Sequence, residues 1–187
     1  METKTVLRIG VDNQMLVQVV RQSIEIPGIH LVGIPIAVGR TWLVLSNLND
    51  ALSLDGFTAL RISDITAVKL KFRRRSFYVR SIQHKRLPLP GLPKLDLDSE
   101  SEVLRSMQRL FSLIVVNREI VNTGASEIGR LTRISSRTVT MQLIDPSAHW
   151  IRGTETFRAR DITRIGFGGG YEESLAGVAG LKDPKWR

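Results

Sequence analysis

Arg61-Ile62-Ser63-Asp64-Ile65-Thr66 and Arg158-Ala159-Arg160-Asp161-Ile162-Thr163 are two statements of one phrase, with Arg, Asp, Ile and Thr in the same order and spacing. With Asp64 laid on Asp161 and no gap, Arg40 falls on Arg137, Thr41 on Thr138, Ala51 on Ala148 and Gly56 on Gly153. A shift of one residue further upstream brings Gly33 onto Gly129, Ile24 onto Ile120, and Val19 and Val20 onto Val115 and Val116. Matches that gather on turn glycines and one tripeptide point to a duplicated structural unit. The chain of 187 residues then divides into a first module over 1–86, a Pro-rich linker over 87–97 and a second module over 98–187. Each module is small enough that its own core gives thin stability, so packing of the halves against each other is expected.

Composition narrows the class. No apolar run approaches the roughly 18 residues that a transmembrane helix needs. The first eleven residues lack a basic segment followed by an unbroken apolar one, so no signal peptide is expected. Cysteine is absent, which removes disulfides, thiolate nucleophiles and Cys-based zinc sites and fits a reducing, cytoplasmic setting.

The second module reads clearly. Ser99 stands three residues before Glu102 in capping-box spacing, so a helix is predicted to start there. Val103, Leu104, Met107, Leu110, Phe111 and Ile114 follow at helical spacing as one apolar stripe. Beyond it come short β-rich stretches at 115–121, 128–134, 138–144, 156–160 and 163–167. In the third of these Val139, Met141 and Leu143 alternate onto one face. The first module repeats the plan at 29–38, 42–46, 58–62 and 65–72. Its opening favours a hairpin, with Asp12 and Asn13 turning 5–11 into 15–20, over a short helix capped by the same residues. A short C-terminal helix is predicted from about Tyr171.

The expected fold is mainly β with minor α: two tandem small barrels, one helix before the second and one after it. The repeated corner has a structural explanation. Asp64 and Asp161 are expected to accept backbone N–H groups two residues on and fix a tight bend, after which Thr66 and Thr163 open the last strand.

A helix followed by five short, bent strands, closing on a phrase such as 157–165 with Asp161-Ile162 before the last strand, resembles the Sm-like and SH3-like small-barrel superfamily. The resemblance implies a small, strongly bent barrel in each module, and it is architectural. True Sm proteins bind uridine through paired Asn and Arg-Gly phrases. Ile151-Arg152-Gly153 is similar to the second, but stands before the fourth strand, where the first module has Leu54-Asp55-Gly56. The closing phrase 161–173 is also similar to the end of uncharacterised bacterial proteins.

Enzymatic signatures are poor, and neither catalytic residues, a metal site nor a cofactor is expected. His30, His84 and His149 are scattered, and no two stand one helical turn apart. Asp96, Asp98, Glu100 and Glu102 coincide with a helix start, where the macrodipole favours acids in any case. The glycine-rich run 166–170 lies between strand and helix but lacks the Lys-Ser/Thr ending of a phosphate loop, and Glu172 and Glu173 follow it.

Charge is the one functional signal. The formal net charge is +9, of which residues 71–98 carry +6, with eight Lys or Arg against two Asp. The candidate binding residues are Lys71, Arg73, Arg74, Arg75, Tyr78, Arg80, Lys85 and Arg86, with Phe72 and Phe77 interleaved and Lys94 beyond. Guanidinium forks match phosphate oxygens and exposed rings stack on unpaired bases, as a single-stranded nucleic-acid platform requires. The expected function is non-enzymatic binding of RNA or single-stranded DNA through this connector. The alternative is an adaptor for protein partners, with the cations guarding a strand edge. Oligomeric state is left open.

Overall fold

A computed structural model describes residues 3–21, 24, 31–49, 51–70, 77–85, 91 and 94–181. The first half runs α1 (Thr3–Asp12), β1 (Val17–Val20), β2 (Leu31–Val38), β3 (Trp42–Leu48), β4 (Leu54–Arg61), a 3-10 turn (Ile62–Asp64), β5 (Ala67–Leu70) and α2 (Phe77–Lys85). The second runs α3 (Glu100–Leu110), β6 (Ile114–Asn117), β7 (Ser126–Ile134), β8 (Thr138–Leu143), β9 (Glu155–Arg158), a 3-10 turn (Ala159–Asp161), β10 (Arg164–Phe167) and α4 (Gly170–Val178).

The ten strands among the described residues belong to one open antiparallel sheet, in the order β5-β1-β2-β3-β4-β10-β6-β7-β8-β9. The first five and the last five follow one pattern, since β10 stands to the second half as β5 does to the first. The halves join where β4 meets β10, with Leu60 opposite Arg164, Ala59 opposite Ile165, Thr58 opposite Gly166 and Phe57 opposite Phe167.

Packing makes that seam the centre of the molecule. Trp42, Val44, Phe57 and Ala59 from the first half share one core with Val103, Leu104, Met107, Val116, Met141, Ile165 and Phe167 from the second. A smaller core inside the first half gathers Leu7, Val17, Val19, Leu43, Leu45, Leu60 and Ile65. Strands β3 and β4 therefore bury both faces, one in each core. A third cluster sets Leu175 and Ala176 of α4 on Leu113, Ile144 and Ala148.

The chain opens with a helix and not with the favoured hairpin. Val6, Leu7 and Gly10 fall on one face at helical spacing and are buried. Asn13 ends the helix, its Nδ2 donating to Ile9 O at 2.9 Å. Gln14 then turns the chain at φ 50°, so the residues read as a hairpin turn form a helix C-terminus. Helix α1 is thus the counterpart of α3, with Leu7 and Leu104 both fully buried, and the duplication includes its front edge. Helix α2 was not foreseen.

At α3 the expected cap is half formed. Ser99 Oγ accepts from Glu102 N at 3.4 Å, while the Glu102 carboxylate turns to Arg105 one turn on and not back to Ser99 N. The end of the linker is docked: Leu97 O accepts from Thr41 N at 3.1 Å and Trp42 N at 3.0 Å, and Asp98 Oδ1 accepts from Arg40 N at 2.6 Å.

Strand registers refine the repeat. Val17 lies opposite Gly33 and Ile114 opposite Gly129, so Val19 corresponds to Val116, not Val115. Gly33 and Gly129 match because the neighbouring strand passes too close for a side chain: a Cβ would lie 2.6 Å from Ser46 O and 2.2 Å from Gln142 O, respectively.

Candidate functional site

The basic connector meets the structure only in part. Lys71, Phe72, Arg73, Arg74, Arg75 and Arg86 lie outside the described residues; Tyr78 contributes backbone to α2. Within that helix Phe77, Arg80, Ser81, His84 and Lys85 recur at three- and four-residue spacing and line one shallow groove. Phe77 is 69% exposed, and Arg80, His84 and Lys85 are exposed as well. Among the described residues no carboxylate lines the groove. Lys85 Nζ donates to Ala51 O at 2.5 Å, which ties the end of α2 to the β3–β4 loop. The surface is thus an aromatic ring and three basic side chains on one face of a helix, next to the basic stretch of the sequence.

The other candidates have structural work. Asp96 Oδ1 accepts from Asp98 N at 3.0 Å, and Asp96 N donates to Ser106 Oγ at 3.2 Å, fastening the linker to α3. Among the described residues no group of His, Cys, Asp or Glu is arranged to hold a metal ion. Asp145 Oδ1 accepts from Ser147 N and His149 N at 2.8 and 2.9 Å, so His149 belongs to a loop. The equivalent loop in the first half has Asn49 Oδ1 accepting from Ser53 N at 2.9 Å. Trp150 carries the Arg130 guanidinium 4.7 Å from its ring centre.

At the repeated corners, threonine and not aspartate makes the bond. Thr66 donates to Val20 O from N at 2.9 Å and from Oγ1 at 3.2 Å. Thr163 N donates to Asn117 O at 2.9 Å, and its Oγ1 lies 3.1 Å from the same carbonyl. Asp64 accepts only from its neighbour Ser63 Oγ, at 3.1 Å, among the described residues. Asp161 stands 3.9 Å from Arg160 Nε. The bend itself is a backbone bond, Ile65 N to Ile62 O and Ile162 N to Ala159 O, each 3.1 Å.

The arginines that open the two phrases differ in role. Arg61 reaches across the seam into the second 3-10 turn. Its Nη1 donates to Arg160 O at 2.9 Å, and its Nη2 to Ile162 O at 2.8 Å and Ala159 O at 3.3 Å. It also pairs with Glu100 and lies over the Trp42 ring. Burial pushes the Glu100 carboxyl up despite Arg61. Arg158, at the matching position, is exposed.

Across the halves lies a group that sequence reasoning missed. Arg21 donates from Nη1 and Nη2 to the two carboxylate oxygens of Glu119 at 2.7 and 3.1 Å, with side chains 5% and 2% exposed. Thr163 Oγ1 donates to Glu119 Oε2 at 2.7 Å, and Arg164 Nε stands 3.2 Å from Oε1. Burial by itself would raise the Glu119 carboxyl. Hydrogen bonds from Arg21 and Thr163, with the charges of Arg164 and Arg21, outweigh it and hold the carboxyl below the usual glutamate range.

The glycine-rich run is occupied from within. Asp55 Oδ1 accepts from Gly170 N at 2.8 Å at the start of α4, so a carboxylate of the first half already caps this helix. Gly56 has φ +66°, and a Cβ there would lie 2.6 Å from Gly169 N. Gly56→Ala combines a left-handed backbone with a backbone clash and is expected to cost about 2 kcal/mol or more. A fall in the urea midpoint at unchanged slope checks it.

No helix among the described residues is long and apolar enough to cross a membrane. Compared with known proteins, the chain matches no protein-family model, no curated protein and no solved structure.

Proposed function

We propose that this chain is a non-enzymatic nucleic-acid-binding protein whose contact surface is the exposed face of α2 together with the cations of 71–75 and Arg86. The observation that carries the reading is the groove of Phe77, Arg80, Ser81, His84 and Lys85. An aromatic face beside cations, with no carboxylate among the described lining residues, suits stacking on an unpaired base while phosphates are neutralised. The ligand is single-stranded RNA or DNA, bound with little sequence preference. We read each half as a small-barrel module. The shared strand order supports this, and the seam between β4 and β10 would then be a contact between two such modules in one chain.

The test is fluorescence anisotropy with a labelled single-stranded oligonucleotide of mixed sequence across a salt series. Binding is expected to weaken steeply with salt, and each phosphate contact removed by Arg80→Ala, Lys85→Ala or the triple change of Arg73, Arg74 and Arg75 to Ala to flatten the log–log slope by somewhat under one. Absence of binding at low ionic strength, or binding that ignores salt, overturns the proposal. A second reading, an adaptor for protein, is favoured by the two end strands of the sheet, β5 and β9, each of which pairs on one side alone among the described residues. Stoichiometric co-purification of one protein, unchanged by nuclease, would favour it.

A further inference from the structure

The end of the second half at which β6 stops gathers several connections. Thr163 N, just before β10, donates to Asn117 O at 2.9 Å, so the β6–β7 loop leaves the sheet beside the second 3-10 turn. The Arg118 guanidinium lies 4.8 Å from the centre of the Phe157 ring, one residue before Arg158. Ala159 N donates to Arg137 O at 2.9 Å, which brings the β7–β8 turn to the same end.

Two kinds of side chain stand out from it. Ile120 and Val121, in the β6–β7 loop, are 65% and 59% exposed. Their turn is held in place: Val121 N and Asn122 N donate to Arg118 O at 2.9 and 2.8 Å, and Thr123 Oγ1 donates to Glu119 O at 3.4 Å. Glu119 is fixed beneath by Arg21, Thr163 and Arg164. Such a turn displays apolar residues with little ordering left to do on binding. Around it Arg137, Arg158 and Arg160 are exposed. The side chains of Arg137 and Arg158 have no partner among the described residues, and Arg160 stands 3.9 Å from Asp161. Glu119 and Glu127 do not balance them, since both carboxylates are turned inward to Arg21 and Arg118.

We propose that this end of the molecule docks on an anionic phospholipid bilayer, with Ile120 and Val121 entering the apolar layer while Arg137, Arg158 and Arg160 bind lipid phosphates. Direction favours a bilayer over a pocket on a protein. Successive residues of a helical turn point about 100° apart, so a single pocket does not take both side chains, whereas an acyl layer accepts them in any direction. Chemistry favours it over nucleic acid. Unpaired bases stack on aromatic rings, and the exposed Phe77 lies on α2 in the other half. Aliphatic prongs offer a base nothing comparable. Guanidinium forks match phosphate oxygens, and an anionic leaflet attracts cations held within a Debye length of it. Two short side chains give little affinity alone, so binding is reversible and needs both the anionic lipid and low salt.

The test is co-sedimentation of the full chain, after nuclease treatment, with vesicles of phosphatidylcholine alone or mixed with phosphatidylglycerol. Association is expected with the mixed vesicles only, and it should weaken as salt rises. Arg137→Ala and Arg158→Ala are each expected to weaken it about fivefold, and Ile120→Asn with Val121→Asn about tenfold. All four positions are exposed, so the urea midpoint should stay unchanged and show that the fold is intact. Because the chain has no cysteine, Val121→Cys can carry one environment-sensitive dye. Its emission should move to the blue on mixed vesicles, while the same dye on Ser147→Cys, in the exposed part of the β8–β9 loop, should not respond.

No association with mixed vesicles at low salt overturns the proposal. So does association that Arg80→Ala and Lys85→Ala abolish while the dye at 121 stays in water, because α2 would then be the lipid contact. Stoichiometric capture of a protein, lost with the asparagine pair in a chain that ignores vesicles, would assign the turn to a protein partner instead. The asparagine pair should leave oligonucleotide anisotropy unchanged, so this proposal and the nucleic-acid reading fail separately. Weaker oligonucleotide binding in that variant would place the turn in the nucleic-acid surface and end the proposal.

Discussion

Phe167→Ala is expected to lower the stability of the whole chain by about 3–5 kcal/mol, the usual range for emptying a buried phenylalanine site. For a chain of this length the midpoint of thermal unfolding should fall by roughly 10 °C. Phe167 is 1% exposed. Its ring stacks on Phe57 at 5.4 Å between centroids and meets Phe111, at the end of α3, at 4.9 Å. Phe57 belongs to the first half and faces Phe167 across the seam, so the cavity opens on both sides of the duplication. The core that would slacken also holds Trp42 and Val44 of the first half and Met107 and Met141 of the second. Calorimetry should therefore show one transition before and after the change, moved as a unit. Two transitions, with only the later half of the chain affected, would mean that the modules fold independently and that the shared core is not what joins them.

The repeat announced much of this architecture, and the reason is physical. Residues that recur are those the corner needs: Thr66 and Thr163 each set N–H and hydroxyl against one carbonyl of an earlier strand, and Gly33 and Gly129 give way to a neighbouring carbonyl. Aspartate was assigned the wrong part in the corner because the sequence shows which residues return, not which atoms bond. Helix α1 was missed because Asp12-Asn13 signals a stop in either structure. Only the burial of Val6 and Leu7 against strands further along the chain selects the helix. In the loop at Asn49 and Asp145 the structure sets Leu52, not Ala51, against Ala148, both at positive φ, and unlike letters carry the shared bond: Asn49 Oδ1 and Asp145 Oδ1 each accept from the backbone N–H four residues on.

Of the candidate site, the basic composition was legible, as was the presence of an aromatic among the cations. That α2 turns Phe77, Arg80, His84 and Lys85 onto one face depends on a helix whose flanking residues gave no capping signal. The difference between Arg61 and Arg158 was not legible at all. Identical letters stand in identical corners, and only the order of strands decides that one meets a partner and the other meets solvent.

Glu119 lay in a stretch read as strand, with its main partner Arg21 98 positions away, and no local pattern marks such a pair. Its removal should nevertheless be among the most damaging single changes. Glu119→Ala leaves Arg21 buried without its carboxylate and Arg164 without its nearest anion, and breaking a buried pair in this way costs about 3–5 kcal/mol. Glu119→Gln keeps the shape and isolates the charge. Its effect should depend on pH with a sign set by the direction of the shift. The folded carboxyl titrates below the ordinary value of 4.5, so the unfolded chain takes up the proton first as acid is added. The stabilisation is therefore complete above about pH 5 and is lost as pH falls through the lower, folded value. Glu100 and Glu172 act in the opposite sense. Burial raises both carboxyls, with Asp55 adding to the effect at Glu172. Their share of stability thus falls as pH rises from 4.5 through their folded values. The wild-type curve sums these contributions and can look flat, whereas the difference between wild type and Glu119→Gln cancels the two raised groups. That difference, measured by urea unfolding from pH 7 downward, should be constant to about pH 5 and then shrink. A gap that stays constant into strong acid would show that Glu119 acts through its shape and hydrogen bonds rather than its charge.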